Sequence, residues 1–218
     1  MRDEGRDEME QDFFDTIKRL VIQAMFSKPV LGSRLVLKGG NLMDIVLNIS
    51  TRSSMDVDFS IADEFSNVDD LKNQITEALT SVFNANNLNV FGIRAEENPR
   101  HVSQELKDFW GGYHIEFKII ESTRMEEFAA DMESLRHNAT VVGREQRRKF
   151  EIDISKYEYC DPKESTDVGG VEVFHYSPEM LAFEKLRAIC QQKSEYLAIV
   201  KGASAGRARD YVDIHRVR

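Results

Sequence analysis

The stretch RLVLKGGNLMDIVLNISTRSSMDVDFSI, from Arg34 to Ile61, has the pattern of a strand, a glycine turn, a short helix and a second strand. An apolar, β-prone run at 35–37 ends at two glycines. Apolar residues between Asn41 and Ile49 then recur with the spacing of one helix face. After polar turn formers, polar and apolar residues alternate from Met55 to Ile61, as in a half-buried strand. The stretch therefore predicts a compact strand–helix–strand unit.

Asp56 and Asp58 are the two acidic residues of the second predicted strand. Two positions apart on a strand, they leave the same face with Cα atoms roughly 6.6 Å apart. Facing carboxylates raise each other's pKa unless a cation lies between them. Sites of this kind suit Mg²⁺ or Mn²⁺, and Mg²⁺ typically takes one or two carboxylates together with substrate phosphates. We therefore expect a metal at this pair, with a solvated acidic strand face as the alternative.

Gly39 and Gly40 separate the first predicted strand from the helix. Glycine lets backbone N–H groups approach a phosphate, and the N-terminus of the following helix adds partial positive charge. An ordinary turn is the alternative interpretation. Together with the aspartate pair, the glycines predict half of a nucleotidyltransferase site. The pattern GxxxxGK[ST] is absent, which argues against a Walker-type NTPase.

The motifs KGGNLMDIV and TRSSMDVDFS resemble the opening motif of the DNA polymerase β-like nucleotidyltransferases. More narrowly, they resemble the AbiEii/AbiGii toxin family, which includes the MenT-type toxins and typically carries KGG[ST]-L followed by R-x-S-x-D-[IVL]-D-[LF]. The stretches EKLRAICQQ and RARDYVDIH resemble its third and fourth motifs, so the similarity extends from Leu35 to His215. Asn41 departs from the family, which usually has Ser or Thr there, but its amide can still donate to a phosphate.

The resemblance implies an α/β (α+β) fold, with a polymerase β-like nucleotidyltransferase core, a mixed sheet and a small C-terminal helical part. We expect the core in residues 1–160, and in residues 161–218 a mainly helical part that completes the active site, as two units or one continuous domain. Hydrophobic periodicity predicts further strands and helices. The strands are expected at 88–94, 113–120 and 150–155, and the helices at 13–27, 67–83, 124–136 and 178–192.

The predicted strand 150–155, FEIDIS, places Glu151 and Asp153 on one face. Polymerase β-like enzymes take a third carboxylate from a strand beside the D-x-D strand. The resemblance assigns this role to Asp153, with Glu151 as the second choice. An exposed acidic strand face is again the alternative.

Ser177 and Pro178 form a helix-start signal, a side-chain cap followed by proline at the first helical position. Lys185 lies in this helix, where it would ordinarily be a solvated lysine. In the family that it resembles, a lysine of this motif faces the nucleotide phosphates. In the fourth motif, the resemblance makes Asp210 the functional acid and Asp213 a packing partner, an order that stays open. The helix is expected to bury Leu181, Leu186, Ile189 and Cys190.

The reaction that the resemblance implies is transfer of a nucleoside monophosphate from an NTP to an acceptor, with release of pyrophosphate. Asp56, Asp58 and Asp153 would hold Mg²⁺ or Mn²⁺. Asp153 would also help deprotonate the attacking hydroxyl. Lys185 and Asp210 complete the expected catalytic set. The residues expected to bind the nucleotide are Lys38, Gly39, Gly40, Asn41, Arg52, Ser53 and Lys185.

RNA, such as a tRNA 3′ end, is the acceptor that the resemblance implies, and a cognate antitoxin is the implied partner. The biological role would be that of a toxin in an abortive-infection system. Two rival hypotheses remain. One is a nucleotidyltransferase that modifies a small molecule or a protein hydroxyl. The other is a catalytically inactive module that binds a nucleotide or a partner.

The charge of the chain limits how it could hold RNA. A net charge of −9 and a pI near 5.2 argue against coating nucleic acid through bulk charge. If RNA is the acceptor, basic residues must therefore flank the Asp56/Asp58 edge. We expect Arg147 and Arg148 to lie outside the nucleotide pocket itself. The two candidate basic groups are Arg144, Arg147, Arg148 and Lys149, and Arg207 with Arg209.

The cysteines, the apolar runs and the histidines further limit the class of protein. Cys160 and Cys190 lack the spacing of a metal or redox motif, so a reduced, cytoplasmic setting is expected. No apolar run approaches the roughly 18 residues of a membrane span, so no membrane partner is expected. The five histidines show no metal-binding or triad spacing.

Overall fold

The strands of this protein form one sheet in a computed structural model that describes residues 4–49, 54, 56–101, 104, 108–142, 146–199 and 206–217. Alternating apolar and polar positions form most of them, as expected for half-buried strands. In these ranges the strands are β1 (Leu35–Lys38), β2 (Val57–Ile61), β3 (Leu88–Asn98), β4 (Gly112–Glu121), β5 (Phe150–Ser155), β6 (Glu164–Asp167) and β7 (Glu172–His175).

The helices precede, separate and follow these strands. A π-helical turn, Leu42–Val46, follows the third of them directly. In the described ranges the helices are α1 (Glu4–Ser27), α2 (Pro29–Gly32), α3 (Gly39–Asn41), α4 (Val68–Ala85), α5 (Ser122–Phe128), α6 (Met132–Asn138), α7 (Pro178–Cys190), α8 (Ser194–Ile199) and α9 (Ala208–Arg216).

The strand order across the sheet is β3-β4-β5-β2-β1-β7-β6. β2 is parallel to β5 and β1 is parallel to β7, while the other neighbours are antiparallel. This arrangement confirms the expected mixed α/β fold. β6 and β7 follow residue 160 and extend the same sheet, and the C-terminal helices begin at Pro178.

The two faces of the sheet differ because side chains alternate along each strand. In β5 the apolar positions are buried and the polar positions are half-buried. Helix α1 packs on the apolar face, where the Phe14 and Phe150 rings lie 6.1 Å apart, and α4 packs there through Phe83, whose ring lies 6.1 Å from that of Phe117. The opposite face therefore carries the polar residues of the strands.

Two predicted helices differ from the structure. The single helix expected at 124–136 is two short helices, α5 and α6. The first ends at Phe128, and Asp131 caps the second, since its carboxylate accepts a hydrogen bond from the Glu133 N–H at 2.9 Å. The helix expected over Asn41–Ile49 is the short α3 followed by the π-helical turn, in which the Leu47 N–H donates to the Leu42 carbonyl. Apolar spacing does not distinguish this wider turn from an α-helix.

Candidate active site

A row of polar residues crosses four neighbouring strands on the polar face. Lys38 on β1 lies opposite Asp58 on β2, and Asp58 lies beside Asp153 on β5. His114 on β4 lies opposite Asp153 and completes the row. Neighbouring strands are about 4.8 Å apart, so these side chains are direct neighbours. The strand pairing thus brings two of the three predicted carboxylates together.

Asp56 lies in the bend just before β2, which begins at Val57, two positions later than predicted. Met55, in the predicted strand, lies outside the described residues, as do Arg52 and Ser53 of the predicted nucleotide site. Burial raises the pKa of Asp56, with Arg147 opposing the rise. Asp56 and Asp58 therefore flank the start of the strand in an environment that disfavours two uncompensated negative charges.

Arg147 is the basic residue that flanks this edge. Its Nη2 lies 3.3 Å from Asp56 Oδ1 and 2.5 Å from Glu151 Oε2. The prediction that a basic group lies beside the Asp56/Asp58 edge is therefore confirmed by Arg147. Its predicted position outside the nucleotide pocket stays a prediction, although the guanidinium group contacts Asp56 directly. Arg144, of the same group, lies outside the described residues.

Asp58 is the most perturbed carboxylate of the row. Burial raises its pKa to about 7; Lys38 opposes the rise, and the carboxylates of Glu184, Asp153 and Asp56 add to it. A carboxylate that resists ionisation next to other carboxylates is stabilised in its charged form by a bound cation. The electrostatics of Asp58 therefore favour a cation-binding role.

Gly39 lies directly against Asp58. Its φ of +71° favours glycine, and a Cβ at this position would collide with the Asp58 carboxylate. Gly40 is similarly close to Ser54, whose Cβ would lie 3.0 Å from an added Cβ. The predicted phosphate-binding turn therefore touches the predicted metal ligand.

Asn41 is fully buried, and its Nδ2 donates a hydrogen bond of 2.6 Å to the Asp56 carbonyl. Its Oδ1 has no partner among the described atoms. The amide thus supports the bend that carries Asp56, and a phosphate contact would require it to exchange that bond. The phosphate-binding role of Asn41 stays a prediction.

Lys38 is held in a buried network centred on Glu158. Its Nζ donates to Glu158 Oε2 at 2.7 Å and to Ser155 Oγ at 2.9 Å, and lies 3.6 Å from Glu184. Glu158 also accepts hydrogen bonds from Ser60, Tyr176 and Arg187. Lys38 therefore reaches the site as the cross-strand neighbour of Asp58, with its ammonium group already paired. Sequence patterns missed Glu158, which lies in an irregular segment after β5.

Burial by itself would raise the pKa of Glu158, but its donors reverse the effect. The charge and hydrogen bond of Lys38, with hydrogen bonds from Ser60 and Arg187, hold the pKa of Glu158 at about 2. Arg187 and Glu184 belong to α7, so the same network joins the C-terminal helix to the sheet beneath the polar row.

His114 was also missed, because it belongs to no histidine motif. Its Nδ1 lies 2.8 Å from Asp153 Oδ1. The hydrogen bond and charge of Asp153 outweigh burial and raise the pKa of His114. Alternation along 113–120 places His114 on the polar face, but only the pairing of β4 with β5 places it against Asp153.

Helix α7 starts as predicted, with the Ser177 hydroxyl accepting from the Met180 N–H. Leu181 is buried as expected. The predicted burial of Leu186 and Cys190 is wrong: Leu186 is 48% exposed and Cys190 is also exposed. Periodicity marks an apolar helix side but does not show whether another element covers it.

Lys185 faces the fourth motif. Its Nζ lies 3.6 Å from Asp210 Oδ1 and 3.8 Å from Asp213 Oδ2, and both carboxylates are buried. Arg207 lies 3.6 Å from the other oxygen of Asp210. Both acids pair with the lysine, so this geometry does not rank Asp210 above Asp213.

Replacing Lys185 with alanine is expected to lower the free energy of unfolding by about 2 kcal/mol, because two buried carboxylates lose their shared cation while Arg207 remains near Asp210. Urea denaturation measures this change. Lys193→Ala, at an exposed lysine just after the same helix, is the control and should change stability by less than about 0.5 kcal/mol. Equal stability of the two variants would contradict a structural role for Lys185.

The oxygen ligands present suit a divalent cation shared with a nucleotide. Asp56, Asp58 and Asp153 supply the carboxylates that Mg²⁺ or Mn²⁺ prefers. Within the described ranges, no group of three or more His, Cys, Asp or Glu side chains is arranged to hold a metal ion. Mg²⁺ commonly uses one or two carboxylates and completes its shell with substrate phosphates, and the turn at Gly39 lies where a phosphate could contribute.

Comparison with known proteins defines the family. The crystal structure of JHP933 from Helicobacter pylori is similar to this chain, with 14% identity and a TM-score of 0.48. The alignment covers 95% of this chain but 65% of that one, so this chain spans about two thirds of its length. None of the curated proteins matches the sequence. In the part of the chain that the structure describes, no helix is long and apolar enough to cross a membrane.

A family model gives the decisive match. The model is described as nucleotidyl transferase AbiEii toxin, type IV toxin–antitoxin system, and it matches residues 20–217. The match includes the glycine turn, the aspartates of the polar row and the helices that carry Lys185 and Asp210. This chain therefore belongs to the AbiEii family of nucleotidyl transferase toxins.

Proposed function

We propose that this chain transfers a nucleoside monophosphate from an NTP to an RNA acceptor, such as a tRNA 3′ end, and releases pyrophosphate. The observation that carries the proposal is the in-register pairing of Asp58 with Asp153, with the turn at Gly39 in contact with Asp58. This arrangement supports a cation-binding role for Asp58, which lies between the turn at Gly39 and the candidate base Asp153. Membership of the AbiEii family supports the reaction class.

The glycine turn and the residues of the polar row have separate roles in this reaction. The turn at Gly39 and Gly40 holds the β- and γ-phosphates through backbone N–H groups. The acceptor hydroxyl attacks the α-phosphorus, the bond to the bridging β-phosphate oxygen breaks, and Asp153 accepts the hydroxyl proton. Asp56, Asp58 and Asp153 would supply carboxylate ligands to Mg²⁺ or Mn²⁺, which would offset the negative charge that develops during transfer. Lys38 keeps positive charge beside Asp58.

The choice of RNA as acceptor is supported by Arg147. It is partly exposed and lies at the Asp56 edge, where its charge offsets the repulsion between an incoming phosphate backbone and the carboxylates of Asp56 and Glu151. A toxin of this activity would act on RNA in the cytoplasm and would be neutralised by a cognate antitoxin. Membership of a type IV toxin–antitoxin family supports that partner.

Incubation with each α-labelled NTP, Mg²⁺ and total cellular RNA tests the proposal. Labelled RNA with an α-labelled NTP, and none with the γ-labelled form, is the expected result, because the γ-phosphate leaves in pyrophosphate. Label on protein or on a small molecule would overturn the RNA acceptor. Calorimetric binding of NTP without any turnover would overturn the catalytic assignment.

Replacing Arg147 with glutamate is expected to weaken RNA binding and reduce the slope of log affinity against log salt by about 1, since one phosphate contact is lost. Filter binding across a salt series measures the slope. Lys28→Glu is the matched charge reversal, because Lys28 pairs with Glu77 on α4, which packs on the apolar face. An equal loss of slope in both variants would contradict a specific role for Arg147.

A further inference from the structure

A cavity of about 220 Å³ opens next to Asp153 and is not used by the roles assigned above. Three strand ends form it: Asn98 at the end of β3, Gly112 at the start of β4, and Asp153 with Ser155 on β5. Trp110 forms part of its wall and is 37% exposed. The cavity therefore joins the predicted base to an aromatic ring that solvent can reach.

Its position follows from the strand order. Moving along the sheet from β1, the glycine turn comes first, then Asp58 on β2, Asp153 on β5, and the cavity between β5, β4 and the end of β3. In phosphoryl transfer the attacking and leaving oxygens are roughly in line on opposite sides of the phosphorus. If pyrophosphate leaves toward the turn at Gly39, as the proposed function requires, the acceptor must approach from the side of the cavity.

The shape and lining of the cavity limit what it can hold. Sites for whole small molecules are usually about 300 Å³ or larger, so this cavity suits one ring system. Gly112 lets β4 lie close against β5 at this cavity, because a Cβ there would collide with the Ile154 carbonyl. Trp110 offers a flat surface for stacking, which binds any base of a single strand.

We propose that this cavity holds the terminal nucleobase of a single-stranded RNA acceptor, stacked on Trp110, with the sugar hydroxyl directed toward Asp153. The inference rests on the proposed function for its direction of attack, and adds the residue that recognises the acceptor. Binding through a stacked base selects nucleic-acid ends over protein hydroxyl groups. It also predicts weak preference among the four bases, because each presents a similar face.

Trp110 is the one tryptophan in the 218-residue sequence, so fluorescence excited at wavelengths that tyrosine does not absorb reports on Trp110 alone. The probe is a short single-stranded RNA with a free 3′ hydroxyl, compared with the same RNA lacking its terminal base. The intact RNA should quench Trp110 and bind roughly 5- to 150-fold more tightly than the abasic one, the range for stacking one base. Equal quenching by both would overturn the proposal. Quenching by an NTP alone would assign the cavity to the nucleotide and would also overturn it.

Variants give a second, independent measurement. Trp110→Ala should raise the KM for RNA roughly 5- to 150-fold and leave the KM for NTP unchanged, while Trp110→Phe should retain most of the affinity for RNA. Phe109→Ala is the matched control, because Phe109 is 61% exposed and does not line the cavity. Unchanged melting temperatures would show that all three variants fold.

Different results would contradict the cavity assignment and the proposed reaction. If Trp110→Ala transfers the nucleotide to RNA with an unchanged KM for RNA, the cavity assignment would be contradicted and the proposed function would stand. If quenching of Trp110 requires the terminal base but no nucleoside monophosphate is transferred, the proposed reaction would be contradicted and the cavity assignment would stand.

Discussion

Replacing Glu158 with alanine is expected to lower the free energy of unfolding by about 3 kcal/mol. Glu158 is the common acceptor for Lys38, Ser60, Tyr176 and Arg187, and only 8% of its side chain is exposed. Removing one partner of a buried ion pair typically costs 3–5 kcal/mol, since the other charge is left uncompensated. The lower end of this range applies because Glu184, 3.6 Å from Lys38, still compensates part of the lysine charge.

The control is an ion pair of similar length that solvent can reach. Lys28 and Glu77 are 2.6 Å apart with side chains 41% and 70% exposed, so Glu77→Ala should cost less than about 1 kcal/mol. Urea or thermal denaturation of both variants measures the difference. A Glu158 variant as stable as the Glu77 variant would show that the network adds no net stability.

Acid should weaken the same network in the wild-type protein. The pKa of Glu158 falls from 4.5 to about 2 in the folded state. A lowered carboxylate pKa stabilises the fold above the unfolded value, and this contribution is lost as pH falls from about 4.5 to about 2. Stability should therefore decline more steeply across this window in the wild type than in Glu158→Gln. Parallel curves for the two proteins would contradict the assigned pKa.

Replacing Asp58 with asparagine is expected to reduce nucleotide transfer by about 10³-fold or more, because a cation in such a site contributes several kcal/mol to the transition state. The free energy of unfolding of this variant should be unchanged or slightly higher. The raised pKa of Asp58 means that folding opposes its ionisation, so removing the charge relieves that cost at and above pH 7. Turnover with labelled NTP and thermal unfolding measure the two effects.

The melting temperature does not depend on turnover. It therefore separates loss of metal binding from other causes of lost activity in Asp58→Asn. NTP with Mg²⁺ should raise the melting temperature of the wild-type protein by mass action, and should fail to do so in Asp58→Asn. Asp63→Asn, at an exposed aspartate just after β2, is the control and should behave as wild type. An Asp58→Asn protein with normal turnover would remove the metal site from the proposal.

The sequence by itself determined the elements whose signals are local. Strand β5 spans Phe150–Ser155 as predicted, because alternation with period two is complete within six residues. The starts of α4 and α7 agree with their caps, Asn67 and Ser177, since a cap bonds N–H groups two or three residues away. The family motifs could also be recognised in the sequence, because each is a short run of adjacent residues.

Only the tertiary structure decided which of these residues meet. Asp153 reaches Asp58 through the parallel register of β5 on β2, across 95 positions of sequence, and no local pattern encodes that register. Arg147 reaches Asp56, and Glu158 reaches Lys38, through irregular segments whose paths depend on packing. Side-chain periodicity sets which face a residue takes, whereas the free energy of burying the whole sheet sets which strands become neighbours.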